Sequence, residues 1–297
     1  MNSELVGRVR RFNRVVTQRV GALDDHFLSR DRPLGEARVL WEIGPDGCDV
    51  RELRSRLDLD SGYLSRLLRS LAAAGLVTVE RSEPDKRVRT ARLTAAGLLE
   101  RAILDDRSDE LARSFLEPLN DTQRSRLVRA MGDVEKLLTA AMVEIKPVDP
   151  LHPHAQYCIN QYFADLDRRF DVGFDPSISI SADADELRPP AGLVLVATLR
   201  TEPVGCGALK FHPGAPTELK RMWVADSARG LGIGRRLLAE LEASVARNDG
   251  KIVRLETNGS LTEAIALYRS SGYVEVEPFN DEPYAHHWFE KRLVEND

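Results

Sequence analysis

Three glycines at alternate positions, in Arg229-Gly230-Leu231-Gly232-Ile233-Gly234-Arg235, are the residues of this chain most clearly spaced for chemistry. Glycines so placed let successive backbone N–H groups converge on an anion with no Cβ in the way. Apolar residues then recur at helical spacing to about Ala246, so the loop opens a helix whose positive dipole end faces the same anion. Arg235 and Arg236 in the first turn oppose the dipole but suit phosphate oxygens. The ligand expected here carries a pyrophosphate. The spacing is G-x-G-x-G, not the dinucleotide fingerprint G-x-G-x-x-G, and no acidic strand end follows at the required distance. The Gly-Lys-Ser/Thr of a P-loop is absent.

The elements around this loop alternate. Strands are predicted over 143–148, 192–199, 204–211, 218–224 and 252–258, with a closing strand in 285–293. Helical patterns fill 154–170 and the stretch from Glu263, which argues a mixed α/β sheet.

The first 140 residues read differently. Helical periodicity covers Glu4 to Leu28 and resumes after Pro33 as far as Gly44. Asp49 is suited to cap a short helix over 50–57, and Asp60-Ser61 another that ends at Gly75, with Leu64, Leu67, Leu68 and Leu71 on one face. Two alternating stretches, 77–81 and 88–93, flank the turn Glu83-Pro84-Asp85-Lys86-Arg87 and form a hairpin. Long helices follow over 95–115 and 121–142. This is the plan of a winged helix-turn-helix, whose second helix can enter the major groove. Ser61, Gly62, Tyr63, Ser65, Arg66 and Arg69 would then reach bases or phosphates, and Arg87 at the wing tip the minor groove.

In the N-terminal half, Asp60-Ser61-Gly62-Tyr63-Leu64-Ser65-Arg66, Gly75-Leu76-Val77, Asp85-Lys86-Arg87 and Leu93-Thr94-Ala95-Ala96-Gly97 together resemble the MarR family of repressors. That resemblance implies a double-stranded DNA operator as partner and a homodimer built from the first and last helices of the domain. The alternative is a dimerisation scaffold whose arginines are solvated surface.

In the C-terminal half, Arg-x-x-Gly-x-Gly after Met222-Trp223-Val224 is similar to the acetyl-CoA loop of the GNAT acyltransferases. Residues 252–258 resemble that family's fifth strand, and 263–273 its next helix and strand. The resemblance implies acetyl-CoA bound by its pyrophosphate at Arg229, Gly230, Leu231, Gly232, Ile233, Gly234 and Arg235. It also implies pantetheine hydrogen-bonded to the backbone of Met222, Trp223 and Val224 where two strands splay. Asn258 and Tyr268 would meet the thiol end, with Tyr268 protonating the leaving thiolate; the alternative for Tyr268 is core packing. Glu218 and Glu256 are the candidate bases for the amine, with surface solvation the alternative for each. Acceptor specificity would reside in 157–175 and 279–284.

The bulk properties fit two soluble domains. The chain of 297 residues carries a net charge of −5. Residues 1–141 hold 25 Lys and Arg against 23 Asp and Glu, and residues 142–297 hold 17 against 24, so the acidic half suits a cationic acceptor. No apolar run spans a membrane and no apolar signal core opens the chain, so a cytoplasmic protein is expected. Cys48, Cys158 and Cys206 are too few and too scattered for a disulfide framework, and no histidine group has metal-site spacing.

The fold expected is therefore an α+β multidomain chain. A mostly helical winged helix-turn-helix domain, 1–141, precedes an α/β GNAT acyltransferase domain, 142–297, with a mixed, mostly antiparallel sheet. The function expected is that of a bifunctional regulator and N-acetyltransferase acting on an amine-bearing small molecule or protein lysine. The alternatives are a regulator that only senses acetyl-CoA or an amine, and an acetyltransferase using the helical domain as scaffold.

Overall fold

The computed structural model describes residues 3–23, 28, 31–81, 89–180 and 182–293. It divides into two compact units, Met1–Arg129 and Ala130–Asp297. The expected boundary at 141/142 lies at the end of a helix that crosses this division.

The first unit begins with α1 (Ser3–Arg19), then α2 (Leu34–Ile43), β1 (Cys48–Asp49), α3 (Val50–Leu57) and α4 (Ser61–Ala73). A hairpin of β2 (Val77–Arg81) and β3 (Arg89–Leu93) leads into α5 (Ala95–Leu116). Local chemistry sets the helix ends. Asp49 accepts from the N–H groups of Arg51 and Glu52, Asp60 from Tyr63 at 2.8 Å, and Thr94 from Gly97 at 3.0 Å. The face Leu64, Leu67, Leu68 and Leu71 is buried against Leu40, Ile43 and Leu53. Strand order is β1-β3-β2, so the three-stranded sheet takes in a short strand that alternation alone did not reveal. The first helix ends at Arg19, earlier than its periodicity suggested, ahead of Gly21 at φ +65°. It buries no residue; Leu5, Val9, Phe12 and Val15 are each about half exposed. The turn 83–87, with Arg87, lies outside the described residues.

Helix α6 (Asp121–Ala141) leads to the second unit: β4 (Val143–Val148), α7 (Pro153–Arg169), β5 (Gly192–Leu199), β6 (Glu202–Lys210), β7 (Thr217–Val224), α8 (Ile233–Arg247), β8 (Ile252–Thr257), α9 (Thr262–Ser270), β9 (Val274–Val276) and β10 (His287–Arg292). The sheet runs β4-β5-β6-β7-β8-β10-β9, antiparallel at every junction except β7 with β8. Leu237, Leu238, Leu241 and Val245 of α8 pack on Leu209, Leu219, Val253 and Phe289 in the main core.

Two local features open a cleft in this sheet. The parallel pairing is limited to Thr217 with Val253 and Glu218 with Arg254, so from Leu219 onward β7 and β8 part. A bulge in β7, with Arg221 at φ +56°, shifts its register against β6. Gly207 on β6 allows the close approach, since a Cβ there would stand 2.6 Å from the Met222 sulfur. Among the described residues no helix is long and apolar enough to cross a membrane.

Candidate active site and nucleic-acid interface

Where β7 and β8 part, two cavities meet. The first is lined by the glycine loop, the start of α8 and the Met222–Val224 edge of β7, with Arg169 of α7 and Leu267 of α9. The second is lined by α7, by Phe174, Ser179, Ile180 and Ala182, and by Glu282, Tyr284 and Ala285, and reaches Lys220, Glu256 and Asn258. Tyr162, Leu166, Met222, Leu261, Ala264 and Tyr268 line both.

The first cavity offers the groups that a pyrophosphate needs. Gly230 and Gly232 adopt φ +80° and +74°, and Gly232 caps α8 with no side-chain hydrogen bond to its first amides. Those amides are therefore available to an anion. Arg229 reaches Asp165 at 3.2 Å and Asp226 at 2.9 Å, which fixes its guanidinium at the cavity edge. Arg235 donates to Ser270 at 3.0 Å from the same rim. Replacing Gly232 by alanine puts a side chain into the left-handed region, a strain of about 1–2 kcal/mol. If the acetyl-CoA expected from the sequence binds here, its affinity should fall about 5- to 30-fold in this variant, measured by calorimetry.

Several residues singled out in the sequence sit elsewhere. Leu231 turns into the main core and anchors the loop through packing. Arg236 donates to the carbonyls of Ala140 and Val143 at 2.7 and 2.8 Å, so it tethers α8 to the start of the sheet, away from the phosphate site. Asn258 lines the second cavity, and both ends of its amide are engaged, with Tyr284 O at 2.7 Å and Ser260 N at 2.9 Å. Glu218 lines neither cavity; it lies 3.1 Å from His212 and 3.0 Å from Lys220.

Tyr268 is buried, its ring against Tyr273 and Phe289, and its hydroxyl makes no hydrogen bond among the described residues. Burial, with smaller effects of Tyr162 and Glu256, pushes this phenol far above its ordinary range, so it keeps its proton at any physiological pH. Glu256 faces the second cavity, with one oxygen on Lys220 and the other 3.3 Å from Asn280. Asn280 is held in turn by the Trp288 indole at 2.8 Å. Burial pushes the Lys220 ammonium down, and the carboxylates Glu256 and Glu218 more than offset this, leaving it above the ordinary lysine value.

Sequence reasoning missed four participants in detail. Asp165 gathers Arg168, Arg169 and Arg229. Tyr162 is a second phenol on the common wall, pushed up chiefly by burial. Arg221 and Glu282 bring charge into the second cavity. The signal for Asp165 was available, because it lies one helical turn from Arg168 and Arg169.

In the first unit, Ser61, Gly62, Tyr63, Arg66 and Arg69 are exposed along the start of α4, and Ser65 is half-buried among them. The Arg66 guanidinium lies 5.5 Å from the centre of the Tyr63 ring, and Arg69 donates to Ser65 O at 3.2 Å. A preformed row of hydroxyls and guanidinium groups on an exposed helix suits phosphate and base-edge contacts.

Comparison with known proteins agrees with this division. An acetyltransferase (GNAT) domain family matches residues 190–275, and the MarR family matches residues 31–88. An IAA acetyltransferase of Azospirillum brasilense is 35% identical over 130 residues, covering 43% of this chain and 84% of that protein. The HTH-type transcriptional regulator TtmR of Methylorubrum extorquens is 48% identical over 59 residues, 20% of this chain and 29% of that protein. A solved acyl-CoA N-acyltransferase structure from Klebsiella pneumoniae superposes with a TM-score of 0.42 at 27% identity, covering 52% of this chain and 99% of the other. The chain belongs to the GNAT acetyltransferases, and residues 31–88, ahead of its acyltransferase domain, match the MarR family.

Proposed function

We propose that this protein binds acetyl-CoA and transfers the acetyl group to a primary amine by direct attack, and that it also binds a DNA operator as a dimer. The observation that carries the enzymatic part is Tyr268, a protonated phenol with no hydrogen bond among the described residues, on the wall common to a phosphate-suited cavity and a second one. Acetyl-CoA supplies an activated acyl thioester. The loop amides with Arg229 and Arg235 hold the pyrophosphate, and the open edge of β7 at Met222–Val224 receives the pantetheine as an added strand. Tyr268 Oη directs its proton to the departing sulfur. Glu256, facing the acceptor cavity, takes the proton lost by the amine, and Glu218 supports it by holding Lys220 from the other side. Adding acetyl-CoA and an amine panel while following thiol release tests this. Acetylated product is expected; binding of acetyl-CoA with no product from any amine would leave a sensor instead.

For the N-terminal domain, the exposed apolar stripe of α1 supports pairing with a second copy, and the polar start of α4 supports operator contact. The expected result is a mobility shift with the protein's own promoter region that weakens as salt rises, and weakens further at every salt concentration in Arg66→Ala. No salt-sensitive shift would leave the domain as a scaffold.

A further inference from the structure

The acceptor cavity contains a cation that no carboxylate among the described residues pairs with. Arg221 rises from the bulge of β7, donates to the carbonyl of Ala182 at 2.9 Å and lies 4.8 Å from the centre of the Phe163 ring. Among the described residues no carboxylate forms an ion pair with it; Lys220, its neighbour, already takes both Glu218 and Glu256. Burial lowers the Arg221 pKa, and the nearby Tyr162, Cys206 and, least, Asp183 only partly offset it, as expected for a guanidinium removed from water.

Next to it stands an aromatic wall. Phe163 stacks on Phe174 at 5.5 Å, and Phe174 and Phe170 meet Tyr284 at 5.0 and 5.6 Å. All four line the cavity. Across it, Glu282 accepts from Ser179 Oγ at 2.9 Å and the N–H of Ile180 at 2.7 Å, and it too has no ion-pair partner among the described residues. One cavity thus offers a guanidinium and a carboxylate, neither ion-paired among the described residues, and an apolar aromatic face.

Resting on the acetyltransferase reading, we propose that the acceptor is a free α-amino acid with an aromatic or large aliphatic side chain. Its carboxylate pairs with Arg221, its side chain lies on the Phe163–Phe174–Tyr284 wall, and Glu282 and Glu256 draw its ammonium toward Tyr268. A guanidinium recognises a carboxylate through parallel N–H donors, and the Ala182 bond keeps this one oriented. In the reaction the ammonium first loses one proton, and the free amine attacks. The N–C bond to the acetyl group forms, the C–S bond breaks, the sulfur leaves as thiol, and one proton is released overall.

The test compares phenylalanine, tryptophan and leucine with their decarboxylated amines, using the full chain and acetyl-CoA. Each amino acid is expected to have a kcat/KM well above that of its amine. In Arg221→Gln, which keeps a donor for Ala182 O, the KM for the amino acids should rise roughly 30-fold or more while that for the decarboxylated amines stays put. An unchanged melting temperature and acetyl-CoA affinity show that the variant is folded. The proposal is overturned if the decarboxylated amines are equal or better acceptors, if only polyamines, aminoglycosides or lysine peptides react, or if the variant affects both series alike. In each of those cases the acetyltransferase reading survives. If no amine of any kind is acetylated, that underlying reading fails, and this proposal with it.

Discussion

Replacing Tyr268 by phenylalanine is expected to lower kcat about 100-fold or more, with acetyl-CoA affinity and folding unchanged. The ring contacts with Tyr273 and Phe289 survive the change, and the lost hydroxyl makes no hydrogen bond among the described residues, so no buried partner is stranded. What disappears is the only proton that Tyr268 brings to the common wall. Because burial holds the phenol above the ordinary tyrosine range, the wild-type kcat profile should show no descending alkaline limb from this group up to about pH 10. Tyr162 is the internal control. It lines the same two cavities, and burial pushes it in the same direction. Should Tyr162→Phe abolish transfer while Tyr268→Phe does not, the proton donor has been assigned to the wrong phenol. Rapid-quench measurement of the acyl-transfer step separates either effect from product release.

A second large effect is expected in stability. Lys220 has a side chain 8% exposed between Glu256 at 9% and Glu218 at 20%. Lys220→Met leaves the carboxylates without their shared cation, and breaking a buried pair from one side costs about 3–5 kcal/mol. Hydrogen exchange of the β7 and β8 amides should report a loss of that size. Adding Glu256→Gln should recover part of it, since the remaining uncompensated charge is then mainly the less buried Glu218. The pH dependence has a definite sign. The folded Lys220 pKa lies above the unfolded value of 10.5, so its contribution is complete below that pH and is lost as pH rises through the folded value. Thermal melts should therefore show a wild-type alkaline decline, starting near pH 10.5, that Lys220→Met lacks.

The parts legible in the sequence are those set by neighbours along the chain. Asp49 and Asp60 marked helix starts because an N-cap needs only its own next three residues. The glycine loop was legible because positive φ at Gly230 and Gly232 is a backbone demand that few other residues meet. The segments 157–175 and 279–284, expected to shape the acceptor site, supply Phe163, Phe170, Phe174, Glu282 and Tyr284 to the second cavity. What could not be read was which side chains on β7 face that cavity. Period-two alternation would set Lys220 and Met222 against Arg221, yet the bulge at Arg221 brings all three to the lining, and Glu218 falls beyond it. Arg236 failed for a different reason. Its charge suits phosphate, but two backbone carbonyls at 2.7 and 2.8 Å claim it, and both lie nearly a hundred residues away in the sequence. Long-range capture of this kind leaves no local pattern.

Whether acetyl transfer occurs on the wall shared by the two cavities is decided by one experiment. Wild type and Tyr268→Phe are each mixed with acetyl-CoA and the amine panel, and the acetylated acceptor is identified and timed by mass spectrometry. If transfer occurs there, one class of amine is acetylated with multiple turnovers by wild type and about 100-fold more slowly by the variant, at equal acetyl-CoA affinity. Equal rates in the two proteins, or acetyl-CoA bound tightly with no amine acetylated by either, would contradict it.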